Sequence, residues 1–537
     1  MTRYVHAIPL LHDFLIRSAQ RLPDKVALVC GEQRLTYAEI AGRAYALAHA
    51  LKARGVARGD RVIVYSDNTV EAAVAFWGVL AANAVVSMVN PQTKADKLAY
   101  LLRDCRPTAL IAHAPLYRHF AEPVRDAPSL KAVIVTGPIA AEPLATLPGG
   151  VTWDDALADM SRDQPPERTA IDVDLASIIY TSGSTGDPKG VMHTHLSMRT
   201  AATSVSSYLE NREDDVILGI LPLSFDYGLY QMIMAFREGA RLVLERSFVY
   251  PARVLEAVAR ERVTVFPGVP TIYAIMNELK NLDEYDFSSV RYVSNTAAAL
   301  TLKHIEALRR IFPAARVVSM YGLTECKRVS YLPPEDLDKK PLSVGVAIPN
   351  TEVWIEGEDG RRLGPDQVGE LVVRGSTVMR GYWEKPEATA KKLRPGPLPH
   401  EVVLHTGDYC KLDQDGYLYF VGRMDDIIKS RGEKVAPREV ENAITDLDGV
   451  KEVAVIGVPD PVLGQAVKAY VVLEQGAHLS AREIQIACQR RLENYMVPKE
   501  VVFVPDLPKT STGKIKKTGL EALDAQPTTQ PTGQPTE

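Results

Sequence analysis

Ala72 to Val89 is a run of 18 residues without a charged side chain, and it narrows the folds open to this chain more than any other feature. At that length a membrane-spanning helix is the first possibility to weigh. Two features count against it. Gly78 and Asn83 interrupt the run, and its second half, Ala84-Val85-Val86-Ser87-Met88-Val89, is β-prone and stops at Asn90-Pro91. A buried helix followed by a buried strand explains the same residues, because the strands of a parallel sheet are apolar on both faces. No membrane span is expected.

The rest of the first half supports that reading. Short apolar runs at Arg61-Val62-Ile63-Val64-Tyr65, Ala109-Leu110-Ile111-Ala112, Ala132-Val133-Ile134-Val135 and Arg241-Leu242-Val243-Leu244-Glu245 alternate with helix-length segments. Thr36-Tyr37-Ala38-Glu39 has the form of a capping box, opening a helix through about Arg54. Strands alternating with helices predict a doubly wound α/β architecture. The segment 344–420 changes character: it is strand-rich, with hairpin cues at Glu358-Asp359-Gly360 and Asp413-Gln414-Asp415-Gly416. A final module begins near Arg423. It has a helix from Pro437, a strand at Val453-Ala454-Val455-Ile456-Gly457-Val458, a second capping box at Ser480-Ala481-Arg482-Glu483 and a strand over 500–504.

At 537 residues, the chain has room for about three or four domain-sized units. The organisation predicted is a large N-terminal domain over 1–424, with a β-rich part about 344–424, then a small mobile α+β domain over 425–523. A tail over 524–537 is expected to be disordered, since from Gln526 it has no apolar residue to bury. The charge balance of 62 Lys+Arg against 67 Asp+Glu removes the electrostatic footprint of a general nucleic-acid binder. The five cysteines are scattered, without zinc-like spacing, and the N-terminus lacks a secretory core. A cytoplasmic protein is expected.

The strongest local signal is Tyr180-Thr181-Ser182-Gly183-Ser184-Thr185-Gly186-Asp187-Pro188-Lys189-Gly190, which follows the apolar run Ala176-Ser177-Ile178-Ile179. Glycines let backbone N–H groups approach a phosphate, and hydroxyls and a lysine add donors and charge. The spacing does not fit the Walker pattern. The plainer alternative is a flexible surface loop, the usual role of Gly/Ser/Thr runs.

In combination with other segments, this loop resembles the phosphate-binding loop of the adenylate-forming superfamily: acyl-CoA synthetases, peptide-synthetase adenylation domains and luciferases. Met320-Tyr321-Gly322-Leu323-Thr324-Glu325 resembles its nucleotide and magnesium motif. Gly369-Glu370-Leu371 with Gly381-Tyr382-Trp383 is similar to a further core motif. His405-Thr406-Gly407-Asp408 with Asp415-Gly416-Tyr417 resembles the ribose-binding segment. Gly422-Arg423-Met424-Asp425-Asp426-Ile427-Ile428-Lys429 with Gly432-Glu433-Lys434-Val435 resembles the domain hinge. Pro508-Lys509-Thr510-Ser511-Thr512-Gly513-Lys514-Ile515 resembles the terminal catalytic-lysine motif. The six motifs stand in the family's order, and the likeness covers the chain from about residue 10 to 520.

The resemblance implies ATP, Mg²⁺ and coenzyme A as reactants, and a two-step reaction: carboxylate and ATP form acyl-AMP and pyrophosphate, then a thiol displaces AMP. It assigns Lys514, Glu325, Thr181 and Lys429 to catalysis, with Lys429 serving the second step. Glu325 is the magnesium ligand, a hard oxygen donor as Mg²⁺ prefers. Thr181, Ser182, Gly183, Ser184, Thr185, Gly186, Lys189, Tyr321, Gly322, Thr324, Asp408 and Arg423 are implied to hold the nucleotide. Asp425 takes the hinge position of a C-terminal domain that rotates between steps.

Leu221-Pro222-Leu223-Ser224-Phe225-Asp226-Tyr227-Gly228-Leu229 resembles the motif bordering the acyl pocket, with Asp226, Tyr227, Tyr230 and Asn295 as pocket candidates. Asp226 resembles the aspartate that pairs with the amino group in amino-acid adenylation domains. A buried carboxylate needs a partner, which a substrate amine would supply. A structural aspartate bonded to local backbone N–H groups satisfies the same residue. The expectation is an amino-bearing acid, such as an aminobenzoate or a small amino acid, transferred to coenzyme A. A free-standing enzyme loading an amino acid such as proline onto a carrier protein is the alternative, and a non-catalytic nucleotide-binding protein is the alternative from another class.

Overall fold

The computed structural model describes residues 9–181, 187–296, 300–430, 433–461, 463–510 and 514–525. The expectations for Ser182, Gly183, Ser184, Thr185 and Gly186, for Ser511, Thr512 and Gly513, and for the tail from Gln526 lie outside the described residues. The chain divides into two compact units, Met1–Val353 with Val373–His405, and Trp354–Val372 with Thr406–Glu537.

In the first unit the uncharged run becomes the helix Val70–Ala81 and the strand Val85–Val89. Thr69 caps the helix by accepting from the Ala72 N–H. The strand is buried at every position and lies parallel to both Arg61–Tyr65 and Leu175–Thr181. Gly78 is required by close packing. A Cβ there would meet Leu47 Cδ2 at 2.7 Å, on the helix Tyr37–Ala53 that crosses it. Trp77, from the same run, stacks on Phe236 at 5.4 Å. Among the described residues, no helix is long and apolar enough to cross a membrane.

Two sheets make up most of this unit. One has eight strands in the order Gly381–Tyr382, Lys189–Thr194, Leu175–Thr181, Val85–Val89, Arg61–Tyr65, Ala109–His113, Ala132–Thr136 and Gly150–Thr152. The other has nine, running from Val346–Ala347 through Cys326–Tyr331, Arg316–Leu323, Tyr292–Asn295, Val265–Gly268, Val216–Gly219, Arg241–Leu244 and Val26–Cys30 to Gln33–Thr36. The inner strands of both pair in parallel, as the doubly wound expectation requires. The capping box at Thr36 and Glu39 opens the helix Tyr37–Ala53.

Asn68 ties the two sheets together where their parallel strands end. It follows Arg61–Tyr65 in one sheet, and its amide donates to the carbonyls of Leu221 and Glu245, each at 3.0 Å, beyond strands of the other. Its Oδ1 accepts from the Leu223 N–H at 2.9 Å, which anchors the loop leading to Asp226.

In the second unit, strands Glu433–Val435, Ile428–Ser430, Gly464–Leu473 and Val450–Asp460 form a sheet, with Glu500–Phe503 added parallel to Gly464–Leu473. Strand alternation divides its apolar residues between two faces. Val453, Val455, Val467 and Val471 pack with Val440, Ile444, Ile484 and Cys488 of the helices Pro437–Thr445 and Ala481–Arg491. Ala454, Tyr470 and Val472 pack with Val504, Leu507 and Leu520. Chain placed in the expected tail takes part in this packing: Asp524 accepts from Lys468 Nζ at 2.8 Å and from the Tyr470 hydroxyl at 3.1 Å.

Asn68→Ala removes three buried hydrogen bonds and leaves their backbone partners unsatisfied. The expected loss is about 2–4 kcal/mol, read as an earlier urea transition of the first unit with unchanged denaturant slope.

Candidate active site

The loop after Leu175–Thr181 is closed by an antiparallel pair with Lys189–Thr194, in register Thr181↔Lys189 and Tyr180↔Gly190. Side chains beneath the hairpin brace it. The Tyr180 hydroxyl donates to Asp104 Oδ2 at 2.6 Å, and Tyr100 donates to the Pro188 carbonyl at 3.0 Å. Burial, with Cys105 and Asp104 alongside, pushes the Tyr180 hydroxyl well up, so it stays a donor. Lys189 Nζ sits over the Tyr382 ring, 5.6 Å from its centroid.

Gly381–Tyr382 forms an edge strand on Lys189–Thr194, in register Tyr382↔Val191. This position explains the motif Gly381-Tyr382-Trp383. The Trp383 N–H donates to the Gly190 carbonyl at 2.7 Å, and the Tyr382 hydroxyl donates to Glu325 Oε1 at 2.7 Å.

Glu325 and Thr324 make the turn between Arg316–Leu323 and Cys326–Tyr331, with Leu323↔Cys326 as the closing pair. The turn is held from outside: the Met379 N–H donates to the Glu325 carbonyl at 2.8 Å, and His193 Nε2 lies 2.7 Å from the Thr324 carbonyl. His193 is 1% exposed, and burial lowers its pKa, so the ring is neutral with the proton on Nε2. Gly322 permits the close approach of the two strands, since a Cβ there would meet Arg328 Cα at 2.9 Å. Tyr321 and Gly322 are partly exposed on the strand before the turn.

Among the described residues no three His, Cys, Asp or Glu side chains converge on a metal position. Glu325 is a single, partly exposed carboxylate with one oxygen oriented by Tyr382. That donor set fits Mg²⁺, which is commonly held by one or two carboxylates together with waters and substrate phosphates.

Asp226 begins the helix Asp226–Glu238. Tyr227 and Tyr230 lie one turn apart on it, both buried. The Tyr227 hydroxyl bonds to Ser294 at 2.8 Å, next to Asn295 at the end of Tyr292–Asn295. The four residues expected at the acyl pocket are therefore on neighbouring elements. The partner of Asp226 is Lys327, whose Nζ lies 3.2 Å from Oδ1 and 4.7 Å from the Tyr230 ring centroid. An internal ammonium thus fills the role expected of a substrate amine. Burial pulls the Lys327 pKa down to about 7, against the opposing effect of Asp226.

In the second unit Asp408 is 6% exposed and faces Arg423 across the strand pair Val402–Leu412 and Leu418–Arg423, with Arg423 Nε 3.7 Å from Oδ1. Its approach is shaped by Gly407, in left-handed conformation with φ 75°, whose N–H donates to Glu370 Oε1 at 3.0 Å. Asp425 is exposed in the short turn Met424–Asp426. Lys429 is exposed on Ile428–Ser430, its N–H donating to Gln465 Oε1 at 2.7 Å. Lys514 is exposed; its carbonyl accepts from the Thr510 N–H at 2.7 Å and its N–H donates to Thr510 Oγ1 at 3.1 Å.

Sequence reasoning left out His193, Lys327 and Arg328. The last two carried a signal, a Lys-Arg pair inside the β-prone run Cys326-Lys327-Arg328-Val329-Ser330-Tyr331, where one or both charges must leave solvent.

Lys327 makes stability pH-dependent with a definite sign. Its folded pKa is below the unfolded value of 10.5, so the unfolded state binds more protons from pH about 7 to 10.5 and stability rises over that window. Urea midpoints of the native chain and Lys327→Met between pH 6.5 and 9 should move apart in favour of the native chain. A constant gap would refute the assignment.

Comparison with known proteins places this geometry. The profile of AMP-binding enzymes matches residues 15–383, and that of the AMP-binding enzyme C-terminal domain matches residues 439–514. A long-chain-fatty-acid–CoA ligase of Bacillus subtilis is 32% identical, over 96% of this chain and 95% of its own. A feruloyl-CoA synthase of an Amycolatopsis species is 34% identical, over 94% and 97%. The crystal structure of the anthranilate CoA ligase AuaEII with anthranoyl-AMP superposes with a TM-score of 0.88 at 27% identity, over 96% and 98%. The hairpin of Leu175–Thr181 with Lys189–Thr194, the braced Glu325 turn and these matches converge: the chain belongs to the AMP-binding enzyme family.

Proposed function

We propose that the chain is an AMP-forming acid–thiol ligase with coenzyme A as acceptor. The observation that carries this reading is the Glu325 turn, whose carboxylate accepts from Tyr382 and whose two carbonyls are held by Met379 and His193, beside the strands that enter and leave the glycine-rich loop. Such a carboxylate suits a magnesium ion shared with a nucleotide. Relatives over nearly the whole length act as CoA ligases.

In the first step the acid's carboxylate oxygen bonds to the α-phosphorus of ATP and pyrophosphate leaves. In the second, the sulfur of coenzyme A bonds to the acyl carbon, AMP leaves, and the thiol proton is lost. Thr181 and the loop Ser182 to Gly186 with Lys189 bind phosphates, Tyr321, Gly322 and Thr324 border the base, and Asp408 and Arg423 bind the ribose. Lys514 neutralises charge that develops in the first step, which is the largest contribution a protein makes to such a transfer. Lys429 serves the second step, and Asp425 is the hinge between the core over 1–424 and the domain over 425–523. Mg²⁺, when bound with the nucleotide, supplies charge neutralisation at the phosphates.

An amino-bearing acid is a second reading, favoured by the likeness to the anthranilate ligase. Lys327 weighs against it, because a substrate amine would have to displace that partner from Asp226.

Lys514→Ala should lower acid-dependent pyrophosphate exchange on the order of 100-fold, and Glu325→Gln should do the same while raising the magnesium requirement. Unchanged exchange in Lys514→Ala would remove the catalytic assignment. An acid panel assayed with coenzyme A alone should produce a thioester, and a strict requirement for a carrier protein would replace the acceptor. Asp226→Ala should depress kcat/KM equally for an amino acid and its deamino analogue; a loss confined to the amino acid would restore the amine reading.

A further inference from the structure

Lys327 and Arg328 place two positive charges in the protein interior, and among the described residues Asp226 is the carboxylate that pairs with Lys327. Arg328 is 2% exposed. Its guanidinium makes no ion pair or hydrogen bond among the described residues, and its Nε is buried without a partner. Its one close neighbour of note is the Tyr227 ring, 5.1 Å from the guanidinium carbon. On the facing helix the Tyr230 hydroxyl is likewise buried without a hydrogen-bond partner among the described residues.

The backbone shows how both cations come to face that helix. Successive residues of a strand point to opposite faces. Arg328 has φ 67°, and among the described residues it is the one non-glycine residue inside a strand with positive φ. The ladder is irregular opposite it, between Tyr321 and Leu323. An extra residue at such a bulge re-aims a side chain, and here Lys327 lies over Tyr230 while Arg328 lies over Tyr227, one helical turn away. Strained backbone of this kind persists where surrounding structure holds it in place.

A buried guanidinium with no counter-charge is costly, and replacing it with an apolar side chain would remove that cost. An apolar tail laid against it would leave the charge unanswered, and an amine would add a third cation. A planar carboxylate matches its fork of donors in bidentate fashion. Arg328 lies within the strand Cys326–Tyr331, beyond the turn that carries Glu325, and so is separate from the carboxylate proposed to hold Mg²⁺.

We infer that the acid carries a second anionic group, a carboxylate remote from the one activated, and that Arg328 receives it with the Tyr230 hydroxyl as an additional donor. This rests on the reading of the Asp226 helix and the Asn295 strand end as the border of the acid's pocket.

The test uses the full chain and matched straight-chain and aromatic acids, each offered as the monoacid, the remote amide and the dicarboxylate. Thioester formation with ATP and coenzyme A should favour dicarboxylates in kcat/KM on the order of 10- to 100-fold. Arg328→Met should abolish that preference, and Arg328→Lys should restore part of it. Monoacids preferred by the native chain, or a preference that Arg328→Met leaves intact, would overturn the inference. A second readout does not need turnover. Dicarboxylates should raise the Tm of the native chain but not of Arg328→Met, whose ligand-free Tm should itself be higher because an unpaired buried charge is gone. If no acid is turned over, the ligase reading fails, and the dicarboxylate shift still decides the site: a shift lost in Arg328→Met supports it, and no shift overturns it. If ATP alone gives a shift that depends on Arg328, the guanidinium serves the nucleotide and the inference is also overturned. Should Arg328→Met not fold, the preference of the native chain and of Arg328→Lys decides.

Discussion

The arrangement of the first unit depends on how the Thr324-Glu325 turn is held. A two-residue turn between antiparallel strands has few bonds of its own, and a carboxylate at its tip would sample many positions. Here the carbonyls of both turn residues and one carboxylate oxygen are fixed from outside, by His193, Met379 and Tyr382. Tyr382 in turn is fixed by strand pairing to Lys189–Thr194, the strand that leaves the glycine-rich loop. The Glu325 carboxylate and the strand Lys189–Thr194 are therefore linked through Tyr382, and a small displacement of either would be felt by the other.

A second constraint is electrostatic. The strand that follows the turn takes Lys327 and Arg328 into the interior, against the rings of Tyr230 and Tyr227. Asp226 answers one charge, and the protein accepts a lysine drawn down to about 7 rather than expose the pair. Apolar side chains at both positions would make a more stable protein. Buried charge kept in that situation is a cost that the surrounding packing has to carry.

Much of the scaffold was legible in the sequence because it rests on short-range rules. The run 72–89 resolved into a helix and a parallel strand, as its residue types required. The capping boxes at Thr36 and Ser480 open helices where the spacing indicated. The turn at Asp413 to Gly416 joins an antiparallel pair, with Gly416 at φ 82°. Asp226 shows the limit. Its need for a partner was legible, but the partner lies 101 residues away and comes into reach only when the Cys326 strand is placed against the helix. Asp524 is similar: a short polar segment gives no sign of the lysine and tyrosine that bond it.

By itself the sequence determined the parallel-sheet architecture, the loop and turn motifs and the family they belong to, since each depends on residue type at fixed local spacing. Tertiary structure decided which groups meet and which buried charges have no ion-pair partner among the described residues. Asn68 joins two sheets through backbone carbonyls that no motif announces. Arg328 turns inward because of one left-handed residue in an irregular ladder. Ion pairing and desolvation are properties of distance and burial in three dimensions, so the partner of Asp226 and the burial of Arg328 could be read only after the strands and helices were brought together.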